Sequence, residues 1–163
     1  MDLRAATLTD LPDVQAIYAH AVRTGFGTFE EEPPAVEDLQ QRFLAIKERG
    51  FPYLVSEIDG RIAGYAYAGP FRPRSAYRHT CESSVYVAPD MHRRGVARAL
   101  MLRVIADCQA LGQRQILAVI GDSANLASIG LHAALGFWHV GVFKNVGLKF
   151  ERWVDVVLMQ REL

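Results

Sequence analysis

One stretch of the chain decides how it folds: VYVAPDMHRRGVA, residues 85–97. An apolar run typical of a strand passes through a basic turn into a run typical of a helix. Arg93 and Arg94 supply positive charge, Gly95 lets the backbone approach a ligand closely, and the first N–H groups of the helix have no partner within it. The stretch predicts a site for an anion such as a pyrophosphate, although many basic helix starts bind nothing.

The composition is that of an ordinary globular chain. Half of the 163 residues are hydrophobic, 22% are charged, and 18 basic side chains balance 18 acidic ones. A chain of about 150 residues buries roughly two-thirds of its unfolded surface without help from disulfides or metals. We therefore expect a single domain over residues 1–163. The zero net charge predicts neither nucleic acid nor an anionic membrane as a partner.

The cysteines and the N-terminus indicate a soluble, cytoplasmic protein. Cys81 and Cys108 lack CxxC spacing, which favours buried thiols in a reducing compartment over a disulfide framework. The start, Met1 to Arg4, lacks the order of a signal peptide, and no apolar run reaches the roughly 18 residues of a membrane span. No cluster of His, Cys, Asp and Glu has metal-ligand spacing, so no metal is expected.

Hydrophobic periodicity and turn residues predict the remaining elements. The Asp59-Gly60 pair between two strand-like runs predicts a hairpin. The predicted helices lie at residues 9–22, 36–49, 95–111 and 125–135, and the predicted strands at 3–6, 53–58, 61–69, 79–87, 116–120, 137–143 and 152–160. The order βααβββαβαββ predicts an α/β fold in which a mixed sheet carries helices on both faces.

This order, with the turn His92–Ala97 between the fourth strand and the third helix, resembles the GCN5-related N-acetyltransferases (GNAT). A second segment carries the resemblance: Asn125-Leu126-Ala127-Ser128, then His132, then Gly136-Phe137. The chain is most similar to the phosphinothricin and methionine sulfoximine/sulfone acetyltransferases. The segments that indicate this subgroup are residues 17–22, 64–70, 81–87 and 147–155.

Two positions depart from the wider family. His92 stands where glutamine or arginine usually begins the turn, which matters little if backbone N–H groups from Arg94 to Arg98 bind the phosphates. His132 stands where many relatives have a tyrosine, but a histidine is usual there in the phosphinothricin subgroup. The second departure therefore favours the subgroup.

The resemblance implies the GNAT fold, with a mostly antiparallel sheet of about seven strands that is splayed where acetyl-CoA binds. Acetyl-CoA is then a co-substrate, and direct transfer to the α-amino group of a small amino acid is the implied reaction. The expected acetyl-CoA-binding residues are Val85, Tyr86, Val87, His92, Arg93, Arg94, Gly95, Val96, Ala97, Arg98, Asn125 and Ser128.

Two ionisable residues are candidates for proton transfer. Glu82 lies in the middle of a strand, where burial would raise its pKa towards that of a useful base. His132, seven residues after Asn125, lies on the same helix face and could protonate the departing thiolate. The alternatives are a Glu82 that faces solvent or pairs with Arg78, and a His132 that only packs under Phe137. The other helix and strand histidines, including His20, are interpreted as structural or solvent-facing.

The segment Pro70–Arg78 contains three arginines and no acid, which suits an anionic substrate. Arginine forks bind carboxylates and phosphinates in bidentate geometry. The alternatives are a solvated loop and an arginine that contacts the 3′-phosphate of CoA. The expected substrate-binding residues, several of them placed by the resemblance, are Arg72, Arg74, Ser75, Ala76, Tyr77, Arg78, Phe29, Lys149 and Trp153.

Other interpretations of the sequence keep the predicted fold but assign a different function. An acetyltransferase for a protein N-terminus or a polyamine is one, although the arginines argue against a polyamine. A non-catalytic acyl-CoA sensor is another, although Glu82 and His132 would then have no function. The subgroup is generally dimeric, so we expect a homodimer. An apolar segment of the last strand, Trp153–Leu158, could supply the shared edge.

Overall fold

The computed structural model describes residues 1–163 and contains seven strands and four α-helices. The helices are α1 (Leu11–Thr24), α2 (Val36–Glu48), α3 (Val96–Ala110) and α4 (Leu126–Ala134). The strands are β1 (Asp2–Ala5), β2 (Tyr53–Ile58), β3 (Arg61–Pro70), β4 (Thr80–Val87), β5 (Gln115–Gly121), β6 (Trp138–Lys149) and β7 (Arg152–Glu162). Short 3₁₀ turns lie at Leu8–Asp10, Ser75–Tyr77 and Pro89–Met91. The predicted order of strands and helices is confirmed.

All strands join one sheet in the order β1-β2-β3-β4-β5-β7-β6. Only the β4–β5 pair is parallel, so the sheet is mixed and mostly antiparallel, as expected. The β2–β3 turn is the predicted hairpin, because Asp59 (φ 52°) and Gly60 (φ 75°) both adopt the left-handed conformation that a tight turn requires.

Helices cover both faces of the sheet. On one face Tyr86 packs edge-on against Tyr18 of α1, with ring centroids 5.1 Å apart, and Tyr53 packs similarly against Phe43 of α2. Successive strand residues point to opposite faces. The face that carries Tyr53, Tyr65 and Tyr86 is here called the tyrosine face. Gly64 precedes Tyr65 and therefore points to the opposite face, towards α3, where a Cβ would come within 2.9 Å of a Val96 side-chain atom. A glycine at this position lets the start of α3 sit directly on β3.

Most boundaries differ from the sequence prediction by one or two residues, and two of the differences have a visible cause. Helix α1 begins two residues later than expected, after a 3₁₀ turn in which the Asp10 carboxylate accepts the Thr7 N–H at 2.8 Å and bonds to Arg4. Strand β6 runs six residues past Phe143. Its pairing with β7 shifts twice, between His139 and Gly141 and again between Phe143 and Gly147, and these bulges hide the alternating pattern of a strand.

The parallel pair β4–β5 separates after four residue pairs. The last pair joins Ser83 to Ala118, and the Ser83 hydroxyl donates to the Leu117 carbonyl at 3.3 Å. Beyond that point β4 stays paired with β3 as far as Val87, while β5 stays paired with β7 as far as Gly121. Because each strand follows its outer neighbour, the two diverge and leave a V-shaped gap in the sheet.

None of the helices combines the length and the apolar character that a membrane crossing requires.

Candidate active site

A cavity of about 350 Å³ fills the gap between the diverging strands. Helix α1 and the loop after it form one side, and the start of α4 forms the other. The cavity is lined by Ile17, His20, Ala21, Thr24, Gly25, Gly27, Ser83, Ser84, Val85, Tyr86, Val87, His92, Ala118, Val119, Ile120, Gly121, Asn125, Ser128 and His132.

A second cavity, of about 540 Å³, lies at the start of α3. It is lined by Val85, Val87, Met91, His92, Arg93, Gly95, Val96, Ala97, Arg98, Asn125, Ala127, Ser128 and Leu131. Five of these residues also line the first cavity, so the two form one continuous groove. Of the twelve residues predicted to bind acetyl-CoA, all but Arg94 line it.

The turn before α3 is an anion cradle made of backbone. Arg93 (φ 59°) and Gly95 (φ 80°) are both left-handed, an alternation that turns successive N–H groups towards a common concavity. Gly95 is the N-cap of α3 and contributes no side chain there, so the first N–H groups of the helix stay unpaired. The Cβ position of Gly95 has no protein atom within 4 Å, which leaves the approach to these groups open.

Strand β4 offers a second set of free backbone groups. Alternate N–H and C=O groups of a strand point to its two sides, and the β5 side has no partner strand beyond Ser83. His92 packs back onto this edge, with its Nε2 3.3 Å from the Val87 carbonyl oxygen. The groove can therefore hold an extended chain of amides against β4 and a phosphate at the turn.

Glu82 lies one residue before the point where β4 and β5 separate. It is half-buried, and burial raises the pKa of its carboxyl group. It forms no ion pair with Arg78, whose guanidinium donates instead to the Ser75 carbonyl at 3.2 Å. A carboxylate without a counter-ion and with a raised pKa, beside the gap, has the properties of a general base.

His132 is 4% exposed on α4 and lines the gap. Its Nδ1 lies 2.8 Å from the Ser128 carbonyl oxygen, which can only accept, so Nδ1 carries the proton. Nε2 of the neutral ring is then an acceptor. Burial lowers the pKa of the imidazole, against a smaller opposing effect of the Ser128 hydrogen bond. The ring also packs edge-on against Phe137 at 5.0 Å, so the packing contact and the chemical role coexist.

Asn125 ties the end of β5 to the start of α4. Its side-chain oxygen accepts the Ser128 N–H at 3.2 Å, and its Nδ2 donates to the Gly121 carbonyl at 3.0 Å. Both Asn125 and Ser128 line both cavities, but the structure also gives Asn125 a capping function that the resemblance alone did not supply.

Three other predicted substrate residues line neither cavity. Lys149 is only 1% exposed, and its ammonium group donates to the carbonyls of Gly25 and Thr28, so it has no free group to offer a ligand. Phe29 lies against β5 and β6 and remains 39% exposed. Trp153 is 61% exposed, beside the β6–β7 turn.

The arginine-rich segment lies outside both cavities, in solvent, between β3 and β4. The Arg72 guanidinium stacks 5.1 Å from the Phe71 ring centroid, and Tyr77 packs edge-on against the same ring. The Arg74 carbonyl accepts the Tyr77 N–H at 3.0 Å, but the Arg74 guanidinium forms no hydrogen bond within the chain, and Ser75 and Ala76 are exposed beside it. The segment ends at Arg78, four residues before Glu82.

Sequence reasoning missed two features of the site. His20, interpreted as structural or solvent-facing, is exposed but also lines the gap. The available signal was its helical spacing from Ile17, three residues earlier, which lines the same gap. The second feature is the ion pair in which Arg42 donates both arms to Glu30, at 2.6 and 3.1 Å, above the tyrosine face. No local pattern connects these two residues.

Three features together define an acyltransferase: the splayed mixed sheet, the backbone cradle before α3, and Glu82 beside the point where β4 and β5 separate. Residues 3–158 match the family described as Acetyltransferase (GNAT) domain, and the chain belongs to that family.

Named relatives share most of the chain. A phosphinothricin N-acetyltransferase from Alcaligenes faecalis is 56% identical over 154 residues, which are 94% of this chain and 78% of that protein. An L-methionine sulfoximine/L-methionine sulfone acetyltransferase from Pseudomonas paraeruginosa is 40% identical over 99% of this chain and 94% of its own length. The crystal structure of a phosphinothricin acetyltransferase from Sinorhizobium meliloti in complex with AcCoA superposes with a TM-score of 0.96, at 42% identity, covering 99% of this chain and 88% of that one.

Proposed function

We propose that the chain, acting as one domain over residues 1–163, transfers the acetyl group of acetyl-CoA to the α-amino group of a small amino acid. The acceptor side chain carries a tetrahedral phosphinate, sulfone or sulfoximine group. One observation carries the proposal: the gap between β4 and β5 runs from the anion cradle at Gly95 to Ser83, the residue next to the half-buried Glu82. The named activities of the relatives supply the substrate class.

The groove matches acetyl-CoA in the order of its chemical groups. The cradle at residues 93–98 suits the pyrophosphate, because unpaired N–H groups and the start of a helix favour negative charge. The free edge of β4 from Ser84 to Val87 suits the pantetheine amides. A chain that follows this edge reaches the apex of the gap with its thioester, next to Glu82.

In the reaction, Glu82 accepts a proton from the acceptor ammonium group, directly or through a water. The neutral amine then attacks the thioester carbonyl, and a C–N bond forms. Free N–H groups on β4 stabilise the oxyanion. The C–S bond breaks, and the departing thiolate receives a proton from Nε2 of His132.

The hydrogen bond to Ser128 constrains how His132 can act. Because Nδ1 already holds its proton, the neutral ring must gain one at Nε2 before it can donate. The amine loses a second proton once the C–N bond has formed. His132 takes that proton at Nε2 and passes it to sulfur from the same atom, so the ring returns to its neutral state within one turnover.

The acceptor binds on the tyrosine face, beside Glu82. Phe29 and Trp153 offer apolar contact. Arg74, whose exposed guanidinium forms no hydrogen bond or salt bridge, pairs with an acceptor carboxylate or phosphinate. The segment that holds Arg74 immediately precedes β4, so it approaches the acceptor from the N-terminal end of that strand.

The chain forms a homodimer through β6 and β7. Large apolar side chains are more than 45% exposed along these strands: Trp138, Val140, Phe143, Val146, Leu148 and Trp153. The predicted shared edge in β7 is wrong, because β7 lies between β5 and β6 and Val154, Val156 and Val157 are buried. Strand β6 is a free edge of the sheet instead. Exposed apolar stripes of this kind mark protein interfaces. Light scattering should give twice the mass of 18.2 kDa, and a monomer at all concentrations would contradict this part of the proposal.

The test of the activity measures CoA release from acetyl-CoA with five acceptors in parallel: phosphinothricin, methionine sulfoximine, methionine sulfone, spermidine and an N-terminal peptide. We expect turnover confined to the three tetrahedral amino acids. Turnover of spermidine or peptide alone would keep the transferase and remove the substrate class. Acetyl-CoA binding without any turnover would favour a non-catalytic sensor.

A further inference from the structure

The loop between α1 and α2 is held against the end of the gap by a group of four residues, here called the loop anchor: Gly121, Gly147, Lys149 and Arg152. These residues come from β5, β6 and β7, far from the loop in sequence. The loop segment they hold, residues 25–30, includes Gly25 and Gly27, whose atoms line the gap.

Lys149 makes the central contacts of the loop anchor. Its ammonium group donates to the Gly25 carbonyl at 2.7 Å and to the Thr28 carbonyl at 2.8 Å. A lysine that is 1% exposed is costly to bury unless its charge is well solvated by protein groups. These two carbonyls, with the Phe150 ring 5.0 Å below the ammonium group, supply that solvation.

The two glycines of the loop anchor admit the rings and backbone of the loop. The Phe29 ring occupies the space where a Cβ of Gly147 would lie, and a Cβ on Gly121 would approach the same ring to 3.0 Å. Any larger residue at position 147 must displace Phe29. The ring therefore has one fixed face against β5 and β6, and its other face remains open.

Arg152 fixes the first aromatic residue of the loop. Its guanidinium lies 4.7 Å from the Phe26 ring centroid and also donates to Asp122 at 3.0 Å. The Phe26 ring packs edge-on against Phe150 at 5.7 Å. The loop is thus held by charge at its carbonyls and by packing at both of its rings.

We infer that Lys149, with the other members of the loop anchor, is a positioning residue that fixes residues 25–30 as the wall against which the acceptor amino acid binds. This inference rests on the proposed function. Lys149 touches neither substrate: it acts through the loop backbone and Phe29. The cradle at the start of α3 shares no residue with the loop anchor, and Gly121 is the one member of the anchor that lines the gap. Phosphate binding at the cradle and acceptor binding should therefore respond separately.

The test compares Lys149→Met with Lys144→Met. Both lysines lie on β6, but Lys144 is on the surface and pairs with Asp155 at 2.9 Å. For Lys149→Met we expect the acceptor KM to rise about tenfold or more, as the loss of two charged hydrogen bonds implies, while the Kd of acetyl-CoA changes less than about twofold. Amide hydrogen exchange in residues 25–30 should accelerate. Lys144→Met should leave all three unchanged.

A second variant keeps the test decisive if Lys149→Met does not fold. Gly147→Ala keeps every charge and displaces only Phe29, so its acceptor KM should rise in the same direction. An unchanged acceptor KM in both variants, or an equal loss of acetyl-CoA affinity, would overturn the inference. If the native chain acetylates none of the acceptors, the proposed function itself is wrong. If the native chain is active and both variants behave like it, only the inference about Lys149 is wrong.

Discussion

The two ends of the groove are built in different ways. Most of the acetyl-CoA end comes from one continuous stretch, residues 83–98, completed by Asn125 and Ser128 at the start of α4. It uses backbone groups that a left-handed glycine and a helix start leave free. The acceptor end joins three distant segments, the loop at 25–30, the end of β5 and the β6–β7 turn, through side chains such as Lys149. A site built from local backbone can be predicted from a motif, whereas a site built from distant side chains needs the fold.

The largest effect is expected at the backbone-built end. Gly95→Glu places a carboxylate beside the phosphates and should weaken acetyl-CoA binding at least about 100-fold, because like charges repel in a site shaped for an anion. The left-handed φ costs only about 1–2 kcal/mol of stability. Isothermal calorimetry and a melting curve measure the two effects.

Gly60→Glu is the matched control for that variant. Gly60 has a similar φ of 75° and open space around its Cβ position, but it lies in the β2–β3 turn. It should show the same loss of stability with normal acetyl-CoA binding. If both variants lost acetyl-CoA affinity equally, the proposal that the turn at Gly95 binds the phosphates would be wrong.

The next largest effect is expected where the two ends meet. Glu82→Gln removes the proposed base and should lower kcat about 100-fold or more. The native kcat should fall as the pH drops through the pKa of Glu82, which burial raises above the ordinary glutamate value of about 4.3. The variant should lack this limb of the pH profile.

Glu82→Gln should lower kcat without lowering the stability of the fold. A carboxyl whose folded pKa is raised is most stabilising when protonated, and this stability is lost as the pH rises. A neutral glutamine therefore should not lower Tm at pH 7. An inactive variant with a lower Tm would indicate lost folding instead of a lost base.

His132→Gln should lower kcat about tenfold or more and change the Kd of acetyl-CoA by less than about twofold. The reason is that the ring moves a proton, while the cradle and the β4 edge hold the cofactor. Single-turnover kinetics with saturating acetyl-CoA measure the chemical step. Equal turnover of the variant and the native chain would remove His132 from the mechanism.

The smallest effect is expected for Arg74→Gln, because its side chain is exposed and an exposed charge contact is weak. The acceptor KM should rise about threefold to tenfold with phosphinothricin, since a single charged hydrogen bond is lost. Arg103→Gln on α3, which breaks only a surface pair with Asp107, is the control. An acceptor KM that is the same in both variants would exclude the arginine-rich segment from substrate binding.

Much of the fold was predictable because its signals are local. The Asp59-Gly60 turn, the apolar stripe of α1 and the Gly95 turn each lie within one short window. The length of β6 was not predictable, because its bulges break the alternation of apolar and polar residues. Strand pairing by β7 holds that segment in the sheet, and only the fold reveals the partner.

The candidate site divides in the same way. Asn125 follows from a motif and Glu82 from its position in the middle of a predicted strand, and the structure places both beside the gap. Lys149 was predicted to contact substrate, yet its ammonium group donates hydrogen bonds to two loop carbonyls 121 and 124 residues away in sequence. A lysine in an exposed-looking hairpin gives no sign of burial until the loop is packed on it.

The most direct test of the difference between the two ends is a calorimetric titration of acetyl-CoA, without acceptor, into the native chain, Gly95→Glu and Lys149→Met. Separate construction of the two ends predicts that the native chain and Lys149→Met bind alike, while Gly95→Glu gives no binding heat. Binding lost in Lys149→Met, or retained in Gly95→Glu, would contradict it.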